Sequence, residues 1–423
     1  MKKTSLVLGL TLCVSAAFAV PTQAQDGPRV SASTKGSLLI YSKVDLRWNA
    51  AGDLVQDTVL ELTNDYSQDV SVQMYFVNGD EPRDAVFAGD PPEMIAEGEP
   101  GWNWVDVQVM LTKNEPTYWS AATGLPLGAS PFEILDPDNG NGPGRPTADG
   151  GRMLRGFVYL WAVNNAGEQI KWNHLSGSAT IINYADQTAW EYNAWAFQSH
   201  NDANTGSAIG SPGNLNLNGS MYDYAYDQLL MDFYASGSQA LSSDTVTASV
   251  DTDLTLHPVS ADLRQDNEGP VTTKAKFDIW NENEIRFSGT ERCITCWDQT
   301  LLSNYDAPNH FLIQNLQTDK GKARIDGLAS TICEGSSDAA LLGVVSKEIS
   351  FSGIANRRAR SGRSLVGMGV QGASIQNDII APPGSLLDQA YERTGQLRPV
   401  TGDDARVYDG KRLNRSTRQG TRK

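Results

Sequence analysis

Thr58-Val59-Leu60-Glu61-Leu62-Thr63 and Val70-Ser71-Val72-Gln73-Met74-Tyr75-Phe76-Val77 stand on either side of Asn64-Asp65-Tyr66-Ser67-Gln68-Asp69. Both runs alternate apolar and polar residues, which is the period of a strand with one buried face. The six residues between them are polar and rich in turn formers. The two runs therefore read as an antiparallel pair of strands with a polar connection.

The same rhythm recurs at Leu154 to Val163, Ser178 to Tyr184, Trp190 to Phe197, Lys274 to Ile279, Ala323 to Ala329, Leu341 to Phe351 and Ser364 to Val370, while helical periodicity is nearly absent. The chain reads as mostly β, in two tandem antiparallel β-sandwiches of Ig-like or jelly-roll-like type. An internal echo supports the doubling. Asp45-Leu46-Arg47 matches Asp262-Leu263-Arg264, and Leu60-Glu61-Leu62 with Asn64 matches Phe277-Asp278-Ile279 with Asn281 at the same offset. The first sandwich is expected over 30–240 and the second over 245–382, joined through a Ser- and Gly-rich stretch. Residues 78–151 break the rhythm and hold 10 of the 19 prolines, so they read as a long insertion in the first unit.

The two ends differ from the body. Met1-Lys2-Lys3, an apolar run from Leu6 to Val14 and small residues to Ala24 have the order of an export leader, expected over 1–24. That places the mature protein in the periplasm, at the cell surface or outside the cell. No stretch is long and apolar enough for a spanning helix. From Arg357 onward there are 13 Lys or Arg against 6 Asp or Glu, whereas the whole chain has a net charge of −16. The basic tail, 383–423, is expected to hold one short helix and little else, and its charge suits polysaccharide or anionic envelope material. The acidic body argues against nucleic acid, which needs Lys and Arg in excess.

Chemistry-bearing patterns are sparse. There is no nucleophile elbow, no zinc-protease helix signature, no phosphate loop and no dinucleotide fingerprint, and the chain has four histidines. Cys293, Cys296 and Cys333 remain after the leader. In an oxidising compartment Cys333 is expected to pair with Cys293 or Cys296, and the same three thiols with His310 have the composition of a zinc site. Asp136, Asp138 and Asn139 offer hard oxygen ligands that suit calcium, although the spacing is not that of an EF-hand. The aromatic cluster is the stronger lead. Trp172, Trp190, Tyr192 and Trp195, with His200 nearby, supply flat rings and hydrogen-bonding partners of the kind that hold sugars, and the same residues at strand spacing also suit a core.

Gly36-Ser37-Leu38-Leu39-Ile40, the run from Val72 to Gly79, Trp172-Asn173-His174-Leu175 and Cys293-Ile294-Thr295-Cys296-Trp297-Asp298 together resemble a group of uncharacterised exported bacterial proteins with Ig-like sandwiches. The resemblance spans much of residues 36–380. It implies export and a β-sandwich fold, and brings no activity and no catalytic residues. The expectation is a non-catalytic, exported protein with an adhesive, structural or carbohydrate-binding role; the alternative is an extracellular carbohydrate-active hydrolase with an aromatic-lined groove.

Overall fold

Val, Ile, Thr and aromatic side chains favour pleated backbone, and from them 21 strands form among the residues described by the computed structural model. Those residues are 35–80, 104–126, 145–200, 215, 217, 221–240, 247–259, 271–287, 290–333, 339–352 and 357–369. The expected leader, the expected calcium residues Asp136, Asp138 and Asn139, and the expected basic tail lie outside them. The protein is mostly β, with antiparallel sheets packed face to face as in β-sandwiches. No helix among the described residues is long and apolar enough to cross a membrane.

The first sheet holds β1 (Leu38–Trp48), β2 (Leu54–Asn64), β3 (Val70–Asn78), β4 (Trp104–Leu111), β5 (Glu115–Ser120), β6 (Arg145–Pro146), β7 (Arg152–Val163), β8 (Leu175–Asn183), β9 (Thr188–Asn193) and β10 (Trp195–Phe197). Its main path runs β4-β3-β7-β1-β2-β8-β9, with β10 beside β1 and β5 beside β2. The described parts of the segment expected as an insertion contain three strands: β4 extends the sheet beyond β3, β5 pairs along β2 and β6 pairs with the start of β7.

The opening pair of runs forms β2 and β3, but the two do not pair with each other. β2 bonds to β1, β5 and β8, whereas β3 lies between β4 and β7. Leu60 and Leu62 of β2 instead share a core with Val72, Met74 and Phe76 of β3. The hexapeptide between them crosses from one wing of the folded sheet to the other. A period of two looks the same in a hairpin and in a crossing, and six residues are long enough for the roughly 10 Å between packed layers. Asn64 fixes the crossing: its amide donates to the Gln68 and Thr112 carbonyls at 2.8 and 3.0 Å, and its side-chain oxygen accepts from the Trp172 indole at 3.1 Å.

Downstream follow β11 (Gln228–Tyr234), β12 (Gly237–Ala240), β13 (Thr247–Pro258), β14 (Thr272–Asn281), β15 (Arg286–Phe287), β16 (Glu291–Thr295), β17 (Asp298–Leu301), β18 (Lys320–Leu328), β19 (Leu341–Ser352), β20 (Arg358–Ser364) and β21 (Val366–Gly369). They alternate between a second sheet, β15-β14-β18-β11-β21 with β16 beside β14, and a third, β12-β13-β19-β20 with β17 beside β13.

β1, β3 and β7 are buried on both faces, which is why their sequences read as nearly continuous apolar runs. One face supplies Leu39, Met74, Phe76 and Leu160 to the core within the first sheet. The other supplies Leu38, Ile40, Tyr75 and Phe157 to a core that also contains Leu254, Leu256, Phe277 and Ile325. Residues on both sides of the expected join near 240 thus share one apolar interior.

Candidate functional site

The site begins with a fault in β1. Leu38 and Ile40 face the shared core while Leu39 and Tyr41 face the core of the first sheet, as strict alternation requires. Continued alternation would put Lys43, Asp45 and Arg47 into that second core. The register against β7 slips between Tyr41 and Val44, so Val44, Leu46 and Trp48 keep the apolar face and the three charged residues turn to the other side.

A bulge leaves backbone groups without ladder partners, and here side chains supply them. The Lys43 amide donates to the Tyr192 hydroxyl at 3.0 Å, and that hydroxyl donates to the Lys43 carbonyl. The Trp297 indole donates to the Ser42 carbonyl at 2.8 Å. Burial pushes the Tyr192 phenol above its ordinary range, which keeps its proton available for donation.

The redirected side chains meet the third sheet across a polar cleft of about 350 Å³. The Lys43 ammonium donates to Asp253 at 2.8 Å and to Thr255 Oγ1 at 3.1 Å, and lies 6.0 Å from the centre of the Trp190 ring. Asp45 takes both forks of Arg47, at 3.0 and 2.9 Å. Arg155, opposite Asp45 on β7, forks onto Asp80 and donates to Gln299 at 3.3 Å; Gln299 in turn donates to Asp253 at 2.5 Å. Arg360 on β20 pairs with Glu348 on β19 at 2.9 Å, and Thr300, Asn304 and Ser346 add neutral donors and acceptors to the wall.

Burial opposes the charges of Lys43, Asp45, Arg47 and Arg155. It pushes the Lys43 ammonium down despite Asp253 and Asp45 beside it. It also disfavours the Asp45 carboxylate, but the Arg47 charge and hydrogen bonds, with Lys43 and Arg155, outweigh it and hold the carboxyl below the usual range. For Arg155 burial is likewise outweighed, by the Asp80 fork. Asp45 is thus a permanent carboxylate, with no proton to give as a general acid. The cleft can orient hydroxyl-rich molecules through many fixed donors and acceptors.

The sequence-picked aromatics scatter. Trp190 lines the cleft, but a carbon at the Cβ position of Gly362 would lie 2.1 Å from its ring, so β20 backbone covers it and it acts as a wall. Tyr192 pins the bulge. Trp195 is 1% exposed and packs against Tyr226 in the shared core, with centroids 5.8 Å apart. Trp172 is partly buried at the other end of the sheet, edge-on to Tyr66, which stacks on His174 at 4.4 Å. His200 lies 2.6 Å from the buried Asp223, whose carboxyl is raised by burial.

Cys293 and Cys333 form a disulfide, with Cα atoms 5.5 Å apart. It takes two of the four residues that had the composition of a zinc site. Cys296 is fully buried and outside the bond, and His310 stacks on Phe287 at 4.7 Å. Among the described residues no three His, Cys, Asp or Glu side chains cluster as metal ligands would. The sequence reading missed Lys43, Arg155 and Asp253. The signal for Lys43, Asp45 and Arg47 was present: three charges at alternate positions, set one residue, Ser42, after four apolar residues.

No family model matches the chain, and no curated protein matches it. Among solved structures the chain is similar to the CupB6 tip adhesin from Pseudomonas aeruginosa, at 12% identity over 80% of this chain and 94% of that one, with a TM-score of 0.10. A score of that size carries no argument about function.

Proposed function

We propose that this is an exported, non-catalytic β-sandwich protein of the cell envelope or extracellular space that binds carbohydrate in the polar cleft. The cleft itself carries the reading. Its charges are held in fixed pairs, its walls add neutral hydrogen-bonding groups, and a tryptophan closes one side, a combination that suits a neutral, hydroxyl-rich ligand. Asp45, held as a carboxylate by Arg47, offers no proton for acid–base hydrolysis, which needs one carboxyl able to carry one, and this favours binding. Export is supported by the leader-like start of the chain and by the Cys293–Cys333 disulfide, a bond of oxidising compartments.

Calorimetric titration of the full chain with a panel of neutral oligosaccharides tests the reading. Binding is expected to weaken by about tenfold in Asn304→Ala combined with Ser346→Leu, which removes two wall contacts and fills the cleft. Absence of binding across the panel, or binding indifferent to both substitutions, would overturn it.

A further inference from the structure

The outward face of the second sheet carries a pattern the cleft does not use. Ala275, Phe277 and Ile279 of β14 and Ala323 and Ile325 of β18 point into the core, so their alternate neighbours point out. Strand register sets Trp280 beside Lys322 and Asp278 beside Arg324, then Lys322 beside Asp232 and Lys320 beside Tyr234 on β11. The result is an array with steps of about 7 Å along each strand and about 5 Å between strands.

Its charge is out of keeping with an acidic protein. Asp278, whose side chain is 4% exposed, is bonded by two guanidiniums, Arg286 and Arg324, each at 2.7 Å, which are 59% and 36% exposed. One sunken carboxylate thus orders two outward cations and leaves a positive surplus. Asp232 likewise serves both Lys347 and Arg363. Lys276 and Lys320 make no ion pair among the described residues, while Lys322 pairs with Glu284 and Arg324 also with Asp326. Aromatic rings steady the cations: Arg286 lies 5.8 Å from the Trp280 ring centre, and Lys320 and Lys347 lie 5.4 and 5.0 Å from that of Tyr234.

We propose that this face binds acidic polysaccharide, whose carboxylates seat on Arg286, Arg324, Lys322 and Lys320. Guanidiniums held on one edge by Asp278 keep donors free on the other, and a fork of donors matches a carboxylate. Lys320, Lys322 and Arg324 form a row along β18, which suits an extended polymer with a carboxylate on each sugar. Cations lie over the rings of this face, which disfavours stacking of nucleic-acid bases. The surface lies on a different sheet from the walls of the cleft, uses a different ligand chemistry and stands independently of the cleft's role.

The test is co-sedimentation or affinity electrophoresis of the full chain with polygalacturonate, beside a neutral β-glucan, at low salt and at about 0.5 M NaCl. Retention on polygalacturonate alone, lost in high salt, is expected. The double variant Lys320→Glu with Lys322→Glu should weaken it by about tenfold, while Lys411→Ser, Arg412→Ser and Arg415→Ser together should leave it unchanged. Thermal melts check that the reversals are folded, and Lys320→Ser with Lys322→Ser serves if they are not. Retention unaffected by the sheet substitutions, retention abolished by the tail substitutions, or equal binding to duplex DNA or anionic vesicles would overturn the proposal.

Discussion

Tyr192 shows how much depends on one hydroxyl. It answers both backbone groups of Lys43 at the bulge, so Tyr192→Phe leaves a buried amide and a buried carbonyl unsatisfied. Urea denaturation should show a loss of about 2 kcal/mol, well beyond what removing an exposed hydroxyl would do. His257 carries a second residue-scale consequence. It is fully buried, stacked on Phe157 at 4.0 Å with Nε2 2.9 Å from the Tyr159 hydroxyl, and burial pushes its imidazole down to about 3. The unfolded chain protonates this group near its ordinary value while the folded chain does not, so its contribution is fully present above that value. It is lost as pH falls through the window from there towards about 3. Between pH 7 and about 4.5 the native protein should lose about 2–3 kcal/mol from this residue alone, and His257→Phe should show a correspondingly shallower pH dependence.

At the scale of elements, the disulfide and the close strand contacts make the clearest claims. Cys293 ends up bonded to Cys333 across 40 residues that include β17, a four-residue helix (Ile313–Leu316) and β18. Replacing both cysteines by serine should lower stability by about 2–4 kcal/mol, read as a shift of the denaturation midpoint in non-reducing buffer. Strand identity was legible in the sequence because alternation is a local property: the runs at 58–63, 70–77, 154–163 and 274–279 are all strands. Strand partnership was not. β2 and β3 carry the pattern of a hairpin, yet each finds other neighbours, since pairing is decided by distant residues, such as Ala162 opposite Val72 and Ile181 opposite Thr58. The candidate site was hidden for the same reason. Asp253 and Lys43 are 210 positions apart, and nothing local to either announces the other. The aromatic cluster was conspicuous in sequence, but its members divide between core, wall and surface because neighbouring strand residues point opposite ways.

At the scale of the molecule, the shared core has a cooperative consequence. β1 and β7 supply side chains to both apolar clusters, so neither the first sheet nor the two downstream sheets can open without exposing the other's interior. Calorimetry is expected to show one unfolding transition for residues 35–369 instead of two. The ion pair between Lys43 and Asp253 spans the same junction. Asp253→Ala should be strongly destabilising, by about 3–5 kcal/mol, because it strands a buried ammonium, whereas Lys43→Met with Asp253→Leu should recover most of the loss.

The bulge in β1 also bears on which changes of length the gene can tolerate. Deleting a residue from a buried strand ordinarily turns every later side chain inside out. Removing Ser42 would do the opposite: Tyr41 would be followed by Lys43 and Val44 in regular alternation, and no side chain would change sides. The loss would fall on the carbonyl that receives the Trp297 indole and on the Tyr192 hydroxyl that bridges the Lys43 backbone at the bulge. Removing Leu46, four positions on, would send Arg47 into the apolar interior and Trp48 out of it. Within one strand, then, codons four positions apart differ between a shortening that keeps every side chain on its face and a ruinous one.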